Sequence, residues 1–347
     1  RFRVTRNSEL YVDEEDANNI LKAVENELRN RRKGDAVRLE VDLDTPEDLV
    51  SELLEKLALA QEDLYRINGP VNPVHLSGLF EGDHSPELRN DHFIPKPSPT
   101  FLGSETIFET IKAQDVLLHH PYESFEHVVT LLEEAAEDPK VLAIKQTLYR
   151  TGKDPRIVNA LMRAAQNGKQ VAVVMELKAR FDEASNIRWA REFEEAGIHV
   201  SYGILGYKVH CKLCMIVREE DNGLNRYLHL ATGNYNPATA KLYTDFGLMT
   251  CQPDFGEDVA RVFNLLTGFC EFEKTDKLIV APFDFQARIL ELIHRETEHA
   301  KRNNPARIIA KMNALVDKPV IEALYAASQA GVKIDLIVRG ICCLRPD

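Results

Sequence analysis

A repeated order of elements constrains the fold of this chain more than any other feature. Residues 160–168 read ALMRAAQNG, and residues 323–331 read ALYAASQAG. Each segment precedes an apolar run that is typical of a buried strand, at 171–175 and at 334–338. Because helix, glycine and strand recur in matched order, the sequence predicts an internal duplication. The chain ends soon after the second copy, so that copy is expected to be incomplete.

Helical and apolar segments alternate through the middle of the chain. Apolar residues at helical spacing predict three helices, over 125–136, 157–167 and 186–196. Short apolar strands are predicted beside them, at 141–145, 171–175 and 199–202. Continuous apolar strands that alternate with helices are typical of a sheet covered on both faces. The sequence therefore predicts an α/β fold with a largely parallel sheet.

The beginning of the chain shows a different pattern. A helix over 14–32, an alternating strand at 37–41 and a helix over 49–59 predict an α+β module. This module contains no recognisable catalytic constellation. Residues 95–99 read PKPSP, and such a density of proline cannot continue a helix or a central strand. A domain boundary is therefore predicted near residue 96.

Composition argues against several classes of function. The net charge of −12 does not favour nonspecific binding to nucleic acid. No apolar run reaches the roughly 20 residues that span a bilayer, and the start does not resemble a signal peptide. The six cysteines lack the dense spacing of a disulfide framework. Cysteines without such a framework are typical of proteins in a reducing compartment. The expected protein is cytoplasmic, and its first residue, Arg1, indicates a piece of a longer chain.

The hexapeptide YKVHCK places His210 two residues before Lys212. If residues 209–217 form a strand, its period of two puts both side chains on one face. His210 could then attack a phosphorus atom while Lys212 offsets charge on the transferred group. A hydrogen-bonded strand histidine is the alternative. Zinc binding at His210, Cys211 and Cys214 is disfavoured, because no second pair of ligands follows.

Two arginines, Arg150 and Arg180, each come shortly after a predicted strand. Ligands gather at the carboxyl ends of strands in open α/β sheets, so both arginines could face one site. A planar guanidinium can hold two phosphate oxygens at once. Position alone does not decide between this site and two surface arginines paired with Asp154 and Asp182.

A turn-rich segment, TGNYN at 232–236, offers donors to the same phosphate oxygens. Asn234 and Asn236 are the candidate phosphate contacts, and a plain turn is the alternative. Tyr243 is a candidate to stack on a nucleobase, and a position in the core is the alternative for it.

These motifs together resemble a known family. The segments that carry the resemblance read IKQTLYR at 144–150, ELKARFDE at 176–183, HCK at 210–212, TGNYN at 232–236, LYTD at 242–245 and VRGICCLRP at 338–346. They are similar to polyphosphate kinases of the first type, which are polyphosphate:ADP phosphotransferases with phospholipase D-like catalytic domains. The H-x-K element is shared with the wider phospholipase D superfamily, but Val217 occupies the position of that superfamily's aspartate.

The resemblance implies duplicated phospholipase D-like α/β domains, the second incomplete, preceded by part of an α+β head domain. The head part would cover 1–96, the first catalytic domain 97–277, and the start of the second 278–347. Members of this family transfer the γ-phosphate of ATP reversibly to inorganic polyphosphate through a phosphohistidine, which matches His210. Their second catalytic histidine would lie beyond the end of this chain, which by itself is expected to be inactive or impaired.

The family's phosphate and magnesium cluster matches Arg150 and Arg180, and its nucleotide contacts match Tyr243 and Arg339. A guanidinium has no lone pair for a metal, so the arginines are expected to hold phosphates that carry Mg²⁺. ATP, ADP and polyphosphate are the expected partners, without nucleic acid. The full-length protein is expected to be a homo-oligomer. The resemblance is also compatible with peripheral association of that protein with a membrane. The alternatives are a phospholipase D-like phosphodiesterase or phosphatidyltransferase, and an inactive polyphosphate-binding fragment.

Overall fold

The computed structural model describes residues 1–7, 20–31, 34–82, 85–91, 93–150, 152, 154–179, 182–204, 206–268 and 270–346. The chain divides into two compact units. The first comprises Arg1–Gln252 with Leu266–Gly268, and the second comprises Pro253–Leu265 with Phe269–Asp347. The domain boundaries near residues 96 and 277 stay a prediction.

The first unit begins with a small three-stranded sheet. Its elements are β1 (Phe2–Arg6), α1 (Ile20–Arg31), β2 (Ala36–Asp42), α2 (Glu47–Leu57) and β3 (Leu64–Ile67), followed by α3 (Ser77–Gly82). β2 is the central strand, antiparallel to β1 and parallel to β3. Alternation in β2 turns Leu39 and Val41 inward, where they pack with Val50 of α2. This is the α+β arrangement that the sequence predicts, although residues 14–19 of the predicted first helix lie outside the described residues.

A seven-stranded sheet forms the centre of the same unit. Its elements are α4 (Ile107–Ala113), β4 (Val116–His120), α5 (Glu126–Glu137), β5 (Val141–Leu148), α6 (Arg156–Gln166), β6 (Gln170–Met175), α7 (Glu183–Glu195), β7 (His199–Ser201), β8 (Lys212–Glu220), β9 (Gly223–Ala231) and β10 (Asp245–Thr250). The strand order is β4-β10-β9-β8-β5-β6-β7. Helices and strands share one apolar core, in which Leu161, Phe193 and Tyr227 are among the largest fully buried side chains.

This sheet is mixed, so the prediction of a largely parallel sheet is wrong. β5, β6 and β7 run parallel to one another. β8 pairs antiparallel with β5, and β9, β10 and β4 continue the antiparallel arrangement. The physical reason lies in the connections. A two-residue turn at 221–222 joins β8 to β9, and a turn this short can only join antiparallel strands, since a parallel pair needs a long crossover. The α/β class itself holds.

The second unit contains α8 (Pro253–Leu266), α9 (Phe285–Lys301), β11 (Arg307–Met312), α10 (Lys318–Gln329) and β12 (Lys333–Val338). β11 and β12 pair in parallel, from Arg307↔Lys333 to Met312↔Val338. Ile293 of α9 and Leu324 of α10 belong to the core of this unit. No described helix combines the length and the apolar character needed to cross a membrane.

Candidate active site

The carboxyl ends of β5 and β6 and the beginning of β8 meet at one edge of the seven-stranded sheet. Since β8 runs antiparallel to β5, its first residue, Lys212, lies beside the last residues of β5. In a wholly parallel sheet the beginning of β8 would lie at the opposite edge, far from Arg150. The antiparallel strand is therefore what places the H-x-K motif next to the arginine that follows β5.

The strand predicted over 209–217 begins later than the sequence indicates. β8 starts at Lys212, and His210 lies in the loop that leads to it. The period of a strand therefore does not relate the two side chains, and that part of the prediction is wrong. Their surroundings differ as well, since His210 is exposed whereas only 5% of Lys212 is exposed.

The candidate catalytic side chains lie around the ring of Tyr149. The ring centroids of Tyr149 and His210 are 4.8 Å apart, with the planes at 82°. The Nζ atom of Lys212 lies 5.3 Å from the Tyr149 centroid, and the guanidinium carbon of Arg150 lies 5.8 Å from it. Cations at this range are attracted by the negative face of an aromatic ring. The structure thus brings Arg150, His210 and Lys212 together around one side chain.

The surroundings of His210 favour its neutral form. Burial of part of the ring lowers the pKa of His210, and the positive charges of Lys212, Arg150 and Lys208 lower it further. The imidazole is therefore unprotonated at pH 7. A neutral imidazole has the free lone pair that a nucleophile needs.

Lys212 is a buried ammonium beside this histidine. Burial lowers the pKa of Lys212 to about 8. The side chain therefore stays mostly protonated at pH 7. Its Nζ atom donates a hydrogen bond to the backbone carbonyl of His210. The positive charge is thereby held next to the loop that carries His210.

A buried carboxylate fixes the loop just before His210. Glu176 follows β6 directly and is only 4% exposed. One of its oxygens accepts a hydrogen bond from the N–H of Val209 at 2.8 Å, and the other accepts from the N–H of Lys178 at 2.8 Å. Burial raises the pKa of Glu176, while these two hydrogen bonds favour the ionised form.

A hydroxyl fixes the loop just after His210. The Oγ1 atom of Thr147, in β5, donates to the carbonyl of Cys211 at 2.9 Å and accepts from the N–H of Leu213 at 2.9 Å. The segment that carries His210 is therefore held between the ends of two parallel strands.

A third polar side chain joins those two strand ends. Asn186 of α7 is fully buried, and its Nδ2 atom donates to the carbonyls of Tyr149 and Glu176, both at 2.8 Å. The sequence patterns predicted no role for Thr147, Glu176 or Asn186. The available signal was weak, because a polar residue near the end of an apolar strand marks any loop.

Of the two predicted arginines, the structure describes Arg150. Its Nε atom lies 3.1 Å from Oδ2 of Asp182, one of the two carboxylates that the alternative interpretation named. This ion pair does not remove Arg150 from the site, since its guanidinium still faces the Tyr149 ring. Arg180 lies outside the described residues, so its predicted role stays a prediction.

The TGNYN segment forms a turn close to the loop after β5. Asn236 is buried, and its Oδ1 atom accepts from the N–H groups of Ala238 and Thr239 at 3.0 and 3.2 Å. A Cβ atom on Gly152 would lie 2.5 Å from Nδ2 of Asn236, so the two loops touch. The Oδ1 atom of Asn234 is buried without a hydrogen-bond partner in the described part of the chain. Phosphate contacts by both asparagines stay predictions.

The two candidate nucleotide contacts lie in different units. Tyr243 is 52% exposed, so the alternative of a core tyrosine is wrong. Arg339 follows β12 in the second unit, where its N–H donates to the carbonyl of Met312 at 3.1 Å. Nucleotide binding by either residue stays a prediction.

The described side chains around His210 suit phosphate oxygens better than a bare metal ion. Within the described ranges, no group of three His, Cys, Asp or Glu side chains could hold a metal. The six cysteines are free thiols, and burial raises the pKa of Cys211 to about 11. Charged donors such as Lys212 and Arg150 bind anionic oxygens. A divalent cation could enter this site as the complex of a phosphorylated ligand.

Comparison with known proteins gives a consistent result. The polyphosphate kinase middle domain matches residues 1–79, C-terminal domain 1 matches 106–272, and C-terminal domain 2 matches 278–347. The polyphosphate kinase of Burkholderia vietnamiensis is 51% identical over 350 residues, covering 100% of this chain and 51% of that protein. The polyphosphate kinase of Neisseria meningitidis is 49% identical over 346 residues, covering 100% of this chain and 50% of that protein.

A solved structure agrees with these sequence matches. The polyphosphate kinase from Porphyromonas gingivalis aligns with a TM-score of 0.79 and 38% identity, covering 89% of this chain and 47% of that one. The chain spans about half the length of the curated relatives it matches. Its mixed α/β fold and its sequence lead to one conclusion: this chain belongs to the polyphosphate kinase family.

Proposed function

We propose that the protein containing this chain is a polyphosphate kinase that transfers the γ-phosphate of ATP reversibly to inorganic polyphosphate through a phosphohistidine at His210. One observation carries the proposal: a neutral imidazole lies beside Lys212 and Arg150, all three around the ring of Tyr149. Phosphoryl transfer depends mainly on positioning and on positive charge around the transferred group. Family membership supports the same activity.

The reaction has two displacement steps. In the first, a ring nitrogen of His210 uses its lone pair to bond to the γ-phosphorus, and the bond from that phosphorus to the β,γ-bridging oxygen breaks. The electron pair leaves with ADP. In the second, a terminal oxygen of polyphosphate bonds to the phosphorus, and the nitrogen–phosphorus bond breaks. The imidazole is then neutral again, and the polyphosphate is one phosphate longer.

The side chains around His210 have separate roles in these steps. Lys212, protonated at pH 7 and hydrogen-bonded to the His210 carbonyl, offsets negative charge on the transferred phosphoryl group. Arg150, and Arg180 by its matching position, hold phosphate oxygens. Mg²⁺ carried by the phosphates would neutralise part of their charge. Asn234 and Asn236 are further phosphate contacts in this proposal.

The proposal includes two phospholipase D-like domains related by duplication. In the first unit, β5 and β6 pair in parallel from Ala143↔Gln170 to Leu148↔Met175, with α6 between them along the chain. In the second unit, β11 and β12 pair in parallel over the same number of residues, with α10 between them. This agreement supports the duplication, and a second histidine motif would then complete the site.

The remaining parts of the proposal concern partners. Tyr243 and Arg339 contact the nucleotide, and the exposed ring of Tyr243 is available to stack on a base. ATP, ADP and polyphosphate are the substrates, and the full-length protein acts as a homo-oligomer in the cytoplasm, where free thiols persist.

Labelling of the full-length protein with ATP that carries ³²P at the γ position tests the proposal. Acid-labile label is expected in the wild type and in His199→Ala, since His199 is an exposed histidine in β7. No label is expected in His210→Ala. Equal labelling of His210→Ala and wild type would refute the role of His210. A phosphodiester that labels His210 where ATP does not would instead favour the phospholipase D-like alternative.

A further inference from the structure

We propose that Glu176 is a positioning residue that holds His210 in place for attack on the phosphoryl group, by anchoring the amide of the preceding residue, Val209. The inference rests on the proposed function of His210. It goes beyond that function because Glu176 acts through the backbone of Val209 and not through a contact with the imidazole.

The geometry makes Glu176 a fixed point. The residue follows β6 directly, its side chain is 4% exposed, and its own N–H donates to the carbonyl of Leu148 in β5 at 3.0 Å. Its carbonyl is fixed by Asn186 at 2.8 Å. The backbone of Glu176 is therefore fixed at the edge of the sheet. A group that is hydrogen-bonded to its carboxylate is held in a fixed position relative to the sheet.

Val209 is held on two sides. Its N–H donates to Oε2 of Glu176 at 2.8 Å, and its side chain is only 4% exposed. In addition, the backbone of Gly203 approaches the Val209 side chain so closely that a Cβ atom there would lie 2.2 Å from Cγ2 of Val209. The next residue along the chain is His210. Fixing the peptide of Val209 therefore limits where the imidazole can lie.

Glu176 acts through the backbone and not through its charge on the imidazole. The charges that shift the pKa of His210 are those of Lys212, Arg150 and Lys208. What Glu176 supplies is two acceptor oxygens for two N–H groups, those of Val209 and Lys178. Glutamine keeps one acceptor oxygen, which either N–H group could still bind, whereas alanine removes the acceptors of both N–H groups.

The test combines hydrogen exchange with labelling in the full-length protein. In Glu176→Ala, which removes both acceptor oxygens, we expect the Val209 amide to exchange at least about tenfold faster. We expect phosphohistidine formation to slow about a hundredfold, the effect of a misplacement of about 1 Å, with ATP affinity unchanged. The matched control is Glu134→Ala, which changes a partly buried glutamate whose carboxylate also accepts a backbone N–H, from Ile107 at 2.9 Å. It should leave both readouts at wild-type values.

Two results would overturn the inference: unchanged exchange of Val209 in Glu176→Ala, or faster exchange with a labelling rate within about twofold of wild type. Glu176→Asp keeps the charge but is one carbon shorter, and an intermediate loss of rate is expected. If Glu176→Ala does not fold, a wild-type labelling rate in Glu176→Asp overturns the inference. Absence of label from the wild type would refute the proposed function of His210, whereas Val209 exchange would still report whether the anchor exists.

Discussion

Replacing Lys212 by methionine should stabilise the fold while abolishing the chemistry. Burial lowers the pKa of Lys212 from 10.5 to about 8. Each pKa unit corresponds to about 1.4 kcal/mol, so keeping the ammonium charged in the folded protein costs about 3 kcal/mol at pH 7. Methionine has a similar length and removes this cost. It also loses the hydrogen bond to the His210 carbonyl, worth about 1 kcal/mol. The expected net gain in the free energy of unfolding is about 2 kcal/mol.

The sign of this effect depends on pH in a defined way. A lysine whose pKa is lower in the folded protein binds its proton more weakly there than in the unfolded chain. The cost is therefore fully present below pH 8 and disappears as the pH rises towards 10.5. The stability of the wild type should increase across this window relative to Lys212→Met.

Urea unfolding at several pH values, followed by the fluorescence of Trp189, measures the difference, since Trp189 is the single tryptophan of the chain. Lys208→Met is the matched control, because it removes an exposed charge from the same loop and should change stability little. Phosphohistidine formation should be lost in Lys212→Met. The reasoning is refuted if the wild type is more stable than Lys212→Met at pH 7, or if their difference does not change between pH 7 and pH 10.

Three further predictions concern pH and packing. Phosphohistidine formation should decline above about pH 8 as Lys212 loses its proton; a rate that is constant to pH 10 would contradict this. Gly152→Ala should lower the free energy of unfolding by about 1–3 kcal/mol, because residue 152 has φ +68° and a Cβ would lie 2.5 Å from Asn236. Gly168→Ala, at φ +80° with open space around it, should cost less in the same unfolding assay. Burial acts to raise the pKa of Glu220, but hydrogen bonds from an ammonium, a phenol and a guanidinium lower it to about 2. The loss of stability between pH 4.5 and 2 should therefore be about 3 kcal/mol larger in the wild type than in Glu220→Gln, and equal losses would contradict this.

Local patterns in the sequence predicted individual elements well. The apolar runs at 141–145 and 171–175 are strands of the sheet, and the helix predicted over 157–167 is α6, one residue earlier at each end. These predictions work because an apolar period and a terminal glycine are local properties. The direction of β8 is not local. It depends on a turn at the far end of the strand, at 221–222, and on pairing with β5.

The site shows the same division between local and distant information. The sequence identified His210, Lys212 and Arg150, and the structure brings them together. However, the predicted parallel sheet would have separated them, so the two predictions did not agree with each other. The anchors Glu176 and Thr147 bind backbone groups, and any residue type provides a backbone N–H and carbonyl. Such contacts leave no pattern in the sequence of the loop they hold.

The hydroxyl of Thr147 restricts insertions and deletions in the chain near His210. It is hydrogen-bonded to the backbone of Cys211 and Leu213. The neighbouring residue of β5, Gln146, pairs with Cys214 of β8. A residue inserted between 210 and 213 would shift the register of β8 by one position and turn every side chain of the strand to the other face. An insertion at 221–222 would lie about 27 Å away along the strand. Natural length variation should therefore occur at that turn and be absent beside His210.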